Sequence, residues 1–136
     1  MTYRTPDEVF QDIPGYQQSQ FEFGSKTAKL DVTTSEALID TGDPIKGVQP
    51  GGEADFVNDD AAESVYIQMY AAQEDEDWAA NPERFSPIGD EVTIGPDSAK
   101  TINWEARYNA IVFTKKATGA ITGGLYGRAR INGCDV

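Results

Sequence analysis

The 136-residue sequence contains no histidine and a single cysteine. Without histidine the chain cannot build a Ser-His or Cys-His nucleophile pair, an imidazole general base or a histidine-ligated metal site. The lone Cys134 excludes an intrachain disulfide framework, so the thiol count gives no sign of passage through an oxidising compartment. These shortages remove the commonest hydrolase and metalloenzyme designs.

Long apolar runs are also missing. The N-terminus MTYRTPDEVFQDIPG lacks a basic start followed by an apolar stretch, and no run approaches the ~18–20 apolar residues that span a bilayer. We therefore expect neither a signal peptide nor a membrane-inserted segment. Synthesis in the cytoplasm is the simplest interpretation.

Basic residues are scarce, because 11 Lys and Arg stand against 23 Asp and Glu, which gives a net charge of -12. This sign is opposite to that of proteins that neutralise phosphates, so nucleic acid and anionic membranes are poor partners. The charge is also uneven, with a balance of -16 over residues 1–99 and +4 over residues 100–136. The two parts should attract each other, either within one molecule or between copies.

What the sequence does contain is a series of short alternating segments separated by turn residues. The clearest alternation of apolar and polar residues runs over 64–71, and 13 Gly and 7 Pro punctuate the chain. The pattern predicts an all-β fold, an antiparallel β-sandwich of jelly-roll or Ig-like type, as a single domain over residues 17–136. The 64–71 segment should be a central strand of this sandwich.

Residues 1–16 predict a short helical N-terminal arm that precedes the domain. A helix-start signal, Thr-Pro-Asp-Glu at 5–8, opens a helix predicted over residues 6–12, and Pro-Gly at 14–15 ends it. Its apolar residues are Val9, Phe10 and Ile13. We expect these three side chains to pack on a partner surface, either the molecule's own sheet or a neighbouring protein.

Turn residues also guide the interpretation of three less regular segments. Residues 40–55 hold two Pro and four Gly, which is typical of a long loop. Residues 73–87 predict an excursion between strands, either one helical turn or an acidic loop pinned by two aromatics. Residues 101–114 predict one long strand with a bend near Tyr108, joined to the final strand as a hairpin by the Thr-Gly turn at 118–119.

The acidic residues give no specific catalytic or metal-binding signal. The EDED run at 74–77 lacks the alternating ligands and central Gly of an EF-hand loop. With 23 acids some carboxylate pair always resembles that of a glycosidase. The segment 42–47 copies the outer glycines of a P-loop, but Val48-Gln49 stands where Lys and Ser/Thr are required. We therefore expect a non-enzyme with no catalytic residue, no metal and no cofactor.

Two sets of side chains are candidate binding residues instead. Basic residues on the last two strands could clamp the carboxylates of an acidic neighbour, or could balance acids within the monomer. These are Arg107, Lys115, Lys116, Arg128 and Arg130. Trp78 and Tyr126 are flanked by polar or Gly-rich sequence and could stack on a sugar, although such aromatics more often belong to the core and its rim.

The segment Gly89 to Ile131 reads GDEVTIGPDSAKTINWEARYNAIVFTKKATGAITGGLYGRARI. A turn and a strand lead to an aromatic-rich strand that ends in the apolar run AIVF, followed by a Thr-Gly turn and a Gly-interspersed last strand. In this pattern the segment resembles the closing strands of small β-sandwich proteins of tailed-phage virions, over 43 of 136 residues. The resemblance implies a structural virion role, such as capsid decoration or a head, tail or fibre component, and no catalytic residue.

We therefore expect a non-enzymatic virion structural protein. It would bind a major capsid or tail protein, copies of itself, or both, through its arm, its loops and its C-terminal hairpin. Its expected location is the virion, after synthesis in the host cytoplasm. The alternative is a carbohydrate-binding module or receptor-binding β-sandwich that uses exposed aromatics.

Overall fold

A computed structural model describes residues 16–39, 45–49, 51–74 and 77–134, with side chains described over 21–39, 51–74 and 77–130. These residues form two antiparallel sheets and almost no helix, as the alternation predicted. The predicted arm, including its helix over 6–12, lies outside the described residues apart from Tyr16, which begins the first strand. In the part of the chain that is described, no helix is long and apolar enough to cross a membrane.

Within these ranges the chain forms ten strands and one short 3-10 helix. The strands are β1 (Tyr16–Phe23), β2 (Leu30–Val32), β3 (Ala37–Leu38), β4 (Ile45–Gln49), β5 (Gly51–Asn58), β6 (Val65–Ala72), β7 (Ser86–Ile94), β8 (Ser98–Trp104), β9 (Tyr108–Ala117) and β10 (Ile121–Cys134). The 3-10 helix, Pro82–Arg84, lies between β6 and β7.

The strands pair as one long ribbon that is folded over on itself. β1 and β2 pair with β10, β3 and β4 with β9, β5 with β8, and β6 with β7, always antiparallel. Wrapping of this ribbon brings β10 beside β5 and β9 beside β6. The first sheet therefore has the order β1/β2-β10-β5-β8, and the second sheet has the order β3/β4-β9-β6-β7. Such nested pairing is the jelly-roll arrangement, one of the two alternatives that the sequence left open.

The core lies between the two sheets and is centred on three phenylalanines. Phe23 of β1 and Phe56 of β5 stack in the first sheet with ring centroids 5.7 Å apart. Both meet the edge of Phe113 of β9, in the second sheet, at 5.8 and 5.4 Å. Strand geometry places them inside, because alternate side chains of a strand point to opposite faces. In β5 this alternation buries Ala54, Phe56 and Asn58 and leaves the residues between them half-buried.

β6 is the central strand that the sequence predicted over residues 64–71, because it pairs with β9 on one side and β7 on the other. Gln68 departs from the expected alternation, since it is buried although it points away from the apolar positions. Its amide nitrogen Nε2 donates to the carbonyls of Met69, Ile88 and Gly89. The register of β7 shifts opposite Gln68, so this side chain forms hydrogen bonds to backbone carbonyls at the irregularity.

The structure contradicts the loop predicted over residues 40–55. β4 and β5 occupy most of that range, and β5 pairs along its length with β10 and β8. The glycines there allow close packing, since a Cβ built on Gly52 would lie 2.6 Å from Cζ2 of Trp104. A segment whose glycines make room for a tryptophan in a strand can have the same composition as a Gly-rich loop. The loop was therefore predicted from composition alone, and wrongly.

Two predictions about the C-terminal strands are also wrong. The single strand predicted over 101–114 is two strands, because β8 ends at Trp104 in the first sheet and β9 begins at Tyr108 in the second. The final hairpin does not form either, because β9 and β10 belong to different sheets and the turn at 118–119 crosses between them. Side chains alternate in the same way along a bent strand and along two strands in facing sheets, so the pattern could not distinguish them.

Asn58, at the end of β5, is a fully buried polar residue that joins several loops at one end of the sandwich. Its amide Nδ2 donates to the carbonyl of Glu63 at 2.8 Å and to those of Ile94 and Gly95 at 3.1 Å. Its Oδ1 accepts the backbone N–H of Asp60 at 3.1 Å. A buried amide is stable only when its polar atoms are satisfied, and here they bind the 59–64 turn to the turn that follows β7.

We expect Phe56→Ala to lower the free energy of unfolding by about 3–5 kcal/mol, because it removes the ring shared by both sheets and leaves a cavity. The matched control is Val57→Ala, which alters the next residue on the half-buried outer face and should cost about 1 kcal/mol or less. Urea unfolding followed by tryptophan fluorescence measures both values. Equal losses for the two variants would contradict the central place of the phenylalanine contact.

Asp60 extends the Asn58 network, and we expect it to make stability depend on pH. Its Oδ2 accepts the backbone N–H of Glu63 at 2.7 Å and that of Ala62 at 3.0 Å, and these bonds hold the pKa of the carboxyl below its usual 3.8. A carboxyl whose pKa falls on folding contributes stability above its unfolded pKa and loses it as pH falls through the folded pKa.

Wild-type protein should therefore lose stability more steeply than Asp60→Asn on acidification below about pH 4. Chemical denaturation at a series of pH values from neutral to acid measures the difference. Asp90→Asn, a change at an exposed residue of β7, is the control and should keep the wild-type profile. Identical profiles for all three proteins would count against a role for the Asp60 turn.

Candidate functional site

The three predicted arm residues, Val9, Phe10 and Ile13, lie outside the described residues. Their role in binding a partner therefore stays a prediction. The strand that follows the arm, β1, is an outer strand of the first sheet.

The five basic candidate residues do not form one surface. Lys115 and Lys116 lie on β9 in the second sheet, whereas Arg128 and Arg130 lie on β10 in the first. Arg107 is exposed in the connection between β8 and β9. Because β9 and β10 do not form the expected hairpin, the candidate residues of these two strands are not brought together on one pair of strands.

Both lysines of β9 are engaged within the monomer. Nζ of Lys115 donates to the carbonyl of Asp31 at 2.8 Å, and burial lowers the pKa of this lysine although the Asp31 charge opposes the effect. Nζ of Lys116 lies 3.6 Å from Oε2 of Glu91 and 5.5 Å from the centroid of the Tyr66 ring. These contacts agree with the alternative in which basic residues balance nearby acids.

Arg128 and Arg130 share the outer face of the first sheet, because residues two apart on a strand point to the same side and Ala129 between them is buried. The register places Arg128 between Glu22 of β1 and Asp55 of β5. Arg130 lies opposite Glu53, whose Oε1 is 3.6 Å from Nη1 of the arginine. This outer face is therefore a mosaic of alternating charges, and such partly exposed pairs contribute little stability each.

Trp78 belongs to a second, smaller core on the outer face of the second sheet. Its ring lies 5.1 Å from that of Tyr70 on β6 and 5.3 Å from that of Phe85. Burial, and then the nearby Glu36 carboxylate, raises the pKa of Tyr70. The other members of this cluster are Leu38, Ala72, Ala110 and Val112. The predicted excursion between strands is thus a segment pinned by two aromatics, and it covers this face of the sheet.

Tyr126 lies on β10, and it is half-buried on the outer face of the first sheet. The two sheets face each other through the core, so their outer faces point in opposite directions. Trp78 and Tyr126 therefore cannot contact one glycan together. The polar or Gly-rich flanks of these two residues suggested exposure, but the flanks could not show that Tyr70 and Phe85 would pack on Trp78.

A pocket of about 610 Å³ opens at the edge of the second sheet, and sequence analysis did not find it. It is assembled from the end of β6, the segment that follows, the start of β7 and the start of β9. Its lining residues are Ala71, Ala72, Gln73, Glu74, Arg84, Ser86, Ile88 and Tyr108. No local signal marks such a pocket, because its walls come from segments that are far apart in the chain.

Among the described residues, no three or more His, Cys, Asp or Glu side chains are grouped so as to hold a metal ion.

No known protein family matches the sequence, and a search of curated proteins finds no match. Solved structures do match the fold. A chain of T=1 particles derived from infectious bursal virus covers 88% of this chain, with 6% sequence identity and a TM-score of 0.51. A chain of Bacillus endospore appendages, which form a family of disulfide-linked pili, covers 100% of this chain, with 8% identity and a TM-score of 0.51.

The two matches differ in extent. This chain spans 32% of the length of the virus-particle chain but 99% of the length of the pilus chain. At such low identity the likeness concerns the fold, a β-structure found in a virus particle and in a pilus. It is not specific to tailed phages.

We expect Trp78→Ala to lower the free energy of unfolding by about 1–3 kcal/mol, because it removes the side chain between Tyr70 and Phe85 and uncovers the outer face of β6 and β9. The matched control is Tyr126→Ala on the opposite outer face, with an expected loss of about 1 kcal/mol or less. Thermal and urea unfolding compare the two variants. A larger loss for Tyr126→Ala would show that the Trp78 cluster is not a second core.

Proposed function

We propose that this chain is a non-enzymatic structural protein of a virion, bound to a major capsid or tail protein, to copies of itself, or to both. The observation that supports this most is that the whole described chain is one jelly roll. Its fold is like that of chains in a virus particle and in a pilus, which are assemblies of many subunits. Jelly rolls recur in viral capsid proteins because two packed sheets form a rigid block with loops at both ends.

The placement of polar residues also supports a structural role. The charged groups that the structure brings together serve the fold: Asp60 orders a turn, Lys115 binds a backbone carbonyl, and Asp31 accepts the backbone N–H of Gly123 at 2.7 Å. Arg130 and Glu53 face each other on the sheet surface. None of these contacts combines an acid, a base and an enclosed pocket, which is the combination that marks a catalytic centre.

More specifically, we propose that this chain belongs to a tailed-phage virion. There it would be a capsid decoration protein or a head, tail or fibre component. The support for this is the resemblance of residues 89–131 to the closing strands of such proteins. The protein would be made in the host cytoplasm and would occur in the virion as a homo-oligomer. The carbohydrate- or receptor-binding alternative gains no support from the placement of Trp78 and Tyr126 on opposite faces.

Mass spectrometry of purified virions and sedimentation of the purified protein test the proposal directly. We expect the polypeptide in the particles at a fixed copy number, and a defined oligomer or capsid-bound species in solution. A protein that stays monomeric, binds no particle and is absent from virions would overturn the proposal. Saturable binding on a glycan array would favour the alternative.

The arm provides a sharper test. Deletion of residues 1–15 leaves β1 complete and should weaken association at least about tenfold, because burial of even one of its three apolar side chains is worth about 1.5 kcal/mol. Sedimentation of the full-length and truncated proteins measures the change, and circular dichroism checks that the β-rich spectrum is kept. An unchanged association constant would remove the arm from the interface.

A further inference from the structure

The first sheet ends at β8 on one side and at β1 on the other, where the three-residue β2 continues the same edge along β10; no described strand pairs with the outer edge of β1 or β8. β1 pairs with β10 over eight consecutive positions, and β8 pairs with β5 over seven, both without a register shift. A regular edge strand presents a row of unpaired N–H and C=O groups, which is a template for pairing with another chain.

The outer strands of the second sheet are less suited to such pairing. β7 contains Pro87 and the register shift opposite Gln68, and it carries the acidic residues Asp90 and Glu91. The opposite edge is divided between β3, of two residues, and β4, of five. Proline, bulges, charges and short strands are the features by which proteins prevent edge pairing. By contrast, β1 and β8 are longer than β3 and β4, pair without the register shift seen in β7, and carry one charge each, Glu22 and Lys100 respectively.

The directions of these two strands are complementary. β1, β10, β5 and β8 are antiparallel to their neighbours in turn, so β1 runs in the same direction as β5 and opposite to β8. A second copy placed beside the first in the same orientation therefore brings its β1 antiparallel to β8. The sheet would continue from copy to copy with the pairing that it has within each copy.

The register of the sheet makes the side chains complementary as well. The strand pairing can be followed from β1 across β10 and β5 to β8. Along this path Phe21 lies in the same row across the sheet as Ile102, and Glu22 lies in the same row as Thr101. Phe21 and Ile102 are half-buried and pack against the core, whereas Glu22 and Thr101 are exposed on the outer face. Unshifted pairing of β8 with β1 of the next copy thus puts apolar beside apolar and polar beside polar. A shift of one residue would reverse the faces.

We propose that β8 of one copy pairs antiparallel with β1 of the next, so that the first sheet runs continuously through an assembly of this chain. The inference rests on the proposed function and deepens it, because it supplies the contact between copies. The contact joins two different surfaces, so it is heterologous and builds a ring or a filament rather than a two-fold dimer.

Disulfide cross-linking tests this contact with two variants in a Cys134→Ser background, Glu22→Cys and Thr101→Cys. Within one copy these positions are separated by β10 and β5, which places them about 14 Å apart. That separation exceeds the Cα separation of about 7 Å that a disulfide allows. Under oxidising conditions a mixture of the two proteins should give a covalent dimer, and either protein alone should give none.

The matched control is Thr93→Cys, which places the thiol at an exposed threonine of β7 in the second sheet. Mixed with Glu22→Cys, it should give no dimer. If the Thr101→Cys mixture links no better than this control while wild-type protein still sediments as an oligomer, the β8–β1 contact is wrong and the structural function stands. If wild-type protein is monomeric and binds no particle, both proposals are wrong.

A second pair of variants avoids cysteine chemistry. Asn103→Lys adds a charge to the exposed face of β8, and Thr93→Lys adds the same charge to β7. β8 already carries Lys100, and a second lysine raises the charge on this edge strand and so opposes pairing further. Sedimentation should show loss of the oligomer for Asn103→Lys and retention for Thr93→Lys, with circular dichroism confirming that both fold. An intact oligomer of Asn103→Lys would overturn the proposal.

Discussion

The contact of Phe23 and Phe56 with Phe113 is the interaction on which the rest of this structure depends. It joins the two sheets at the centre of the core, where burial of large apolar rings is the main source of stability. Once these rings face inward, the period of two along β5 and β10 directs Glu53 and Arg130 outward. The nested pairing of the strands then follows the wrapping of one ribbon around this centre.

The outer faces of the two sheets differ in what covers them. The segment that carries Trp78 and Phe85 covers the second sheet, and the first sheet keeps a mosaic of charges that are balanced within the molecule. A chain with a net charge of -12 repels its own copies at long range. Among the described outer strands, β1 and β8 carry only one charge each, so pairing along them brings few like charges together and suits assembly of an acidic protein.

Sequence reasoning predicted the fold class, the central strand β6 and the aromatic-pinned excursion, because each depends on a local alternation or a local cluster. It failed for the segment 40–55, where glycines that make room for Trp104 resemble the glycines of a loop. It also failed for the final hairpin, because a Thr-Gly turn looks the same whether the next strand pairs beside the first or crosses to the facing sheet. The buried Gln68 and the pocket near Arg84 gave no local signal, since their partners come from distant segments.

The amino-acid sequence by itself determined which side chains point inward, because a strand's period of two is a property of the backbone and needs no partner. It also determined the acidic surface and the lack of imidazole chemistry, since these depend only on composition. Tertiary structure alone decided that Lys116 and Arg128 lie on different sheets, and that β1 and β8 are outer strands on opposite sides of one sheet. Those features depend on which distant strands pair, and the free energy of that pairing is gained only when the whole ribbon folds over its core.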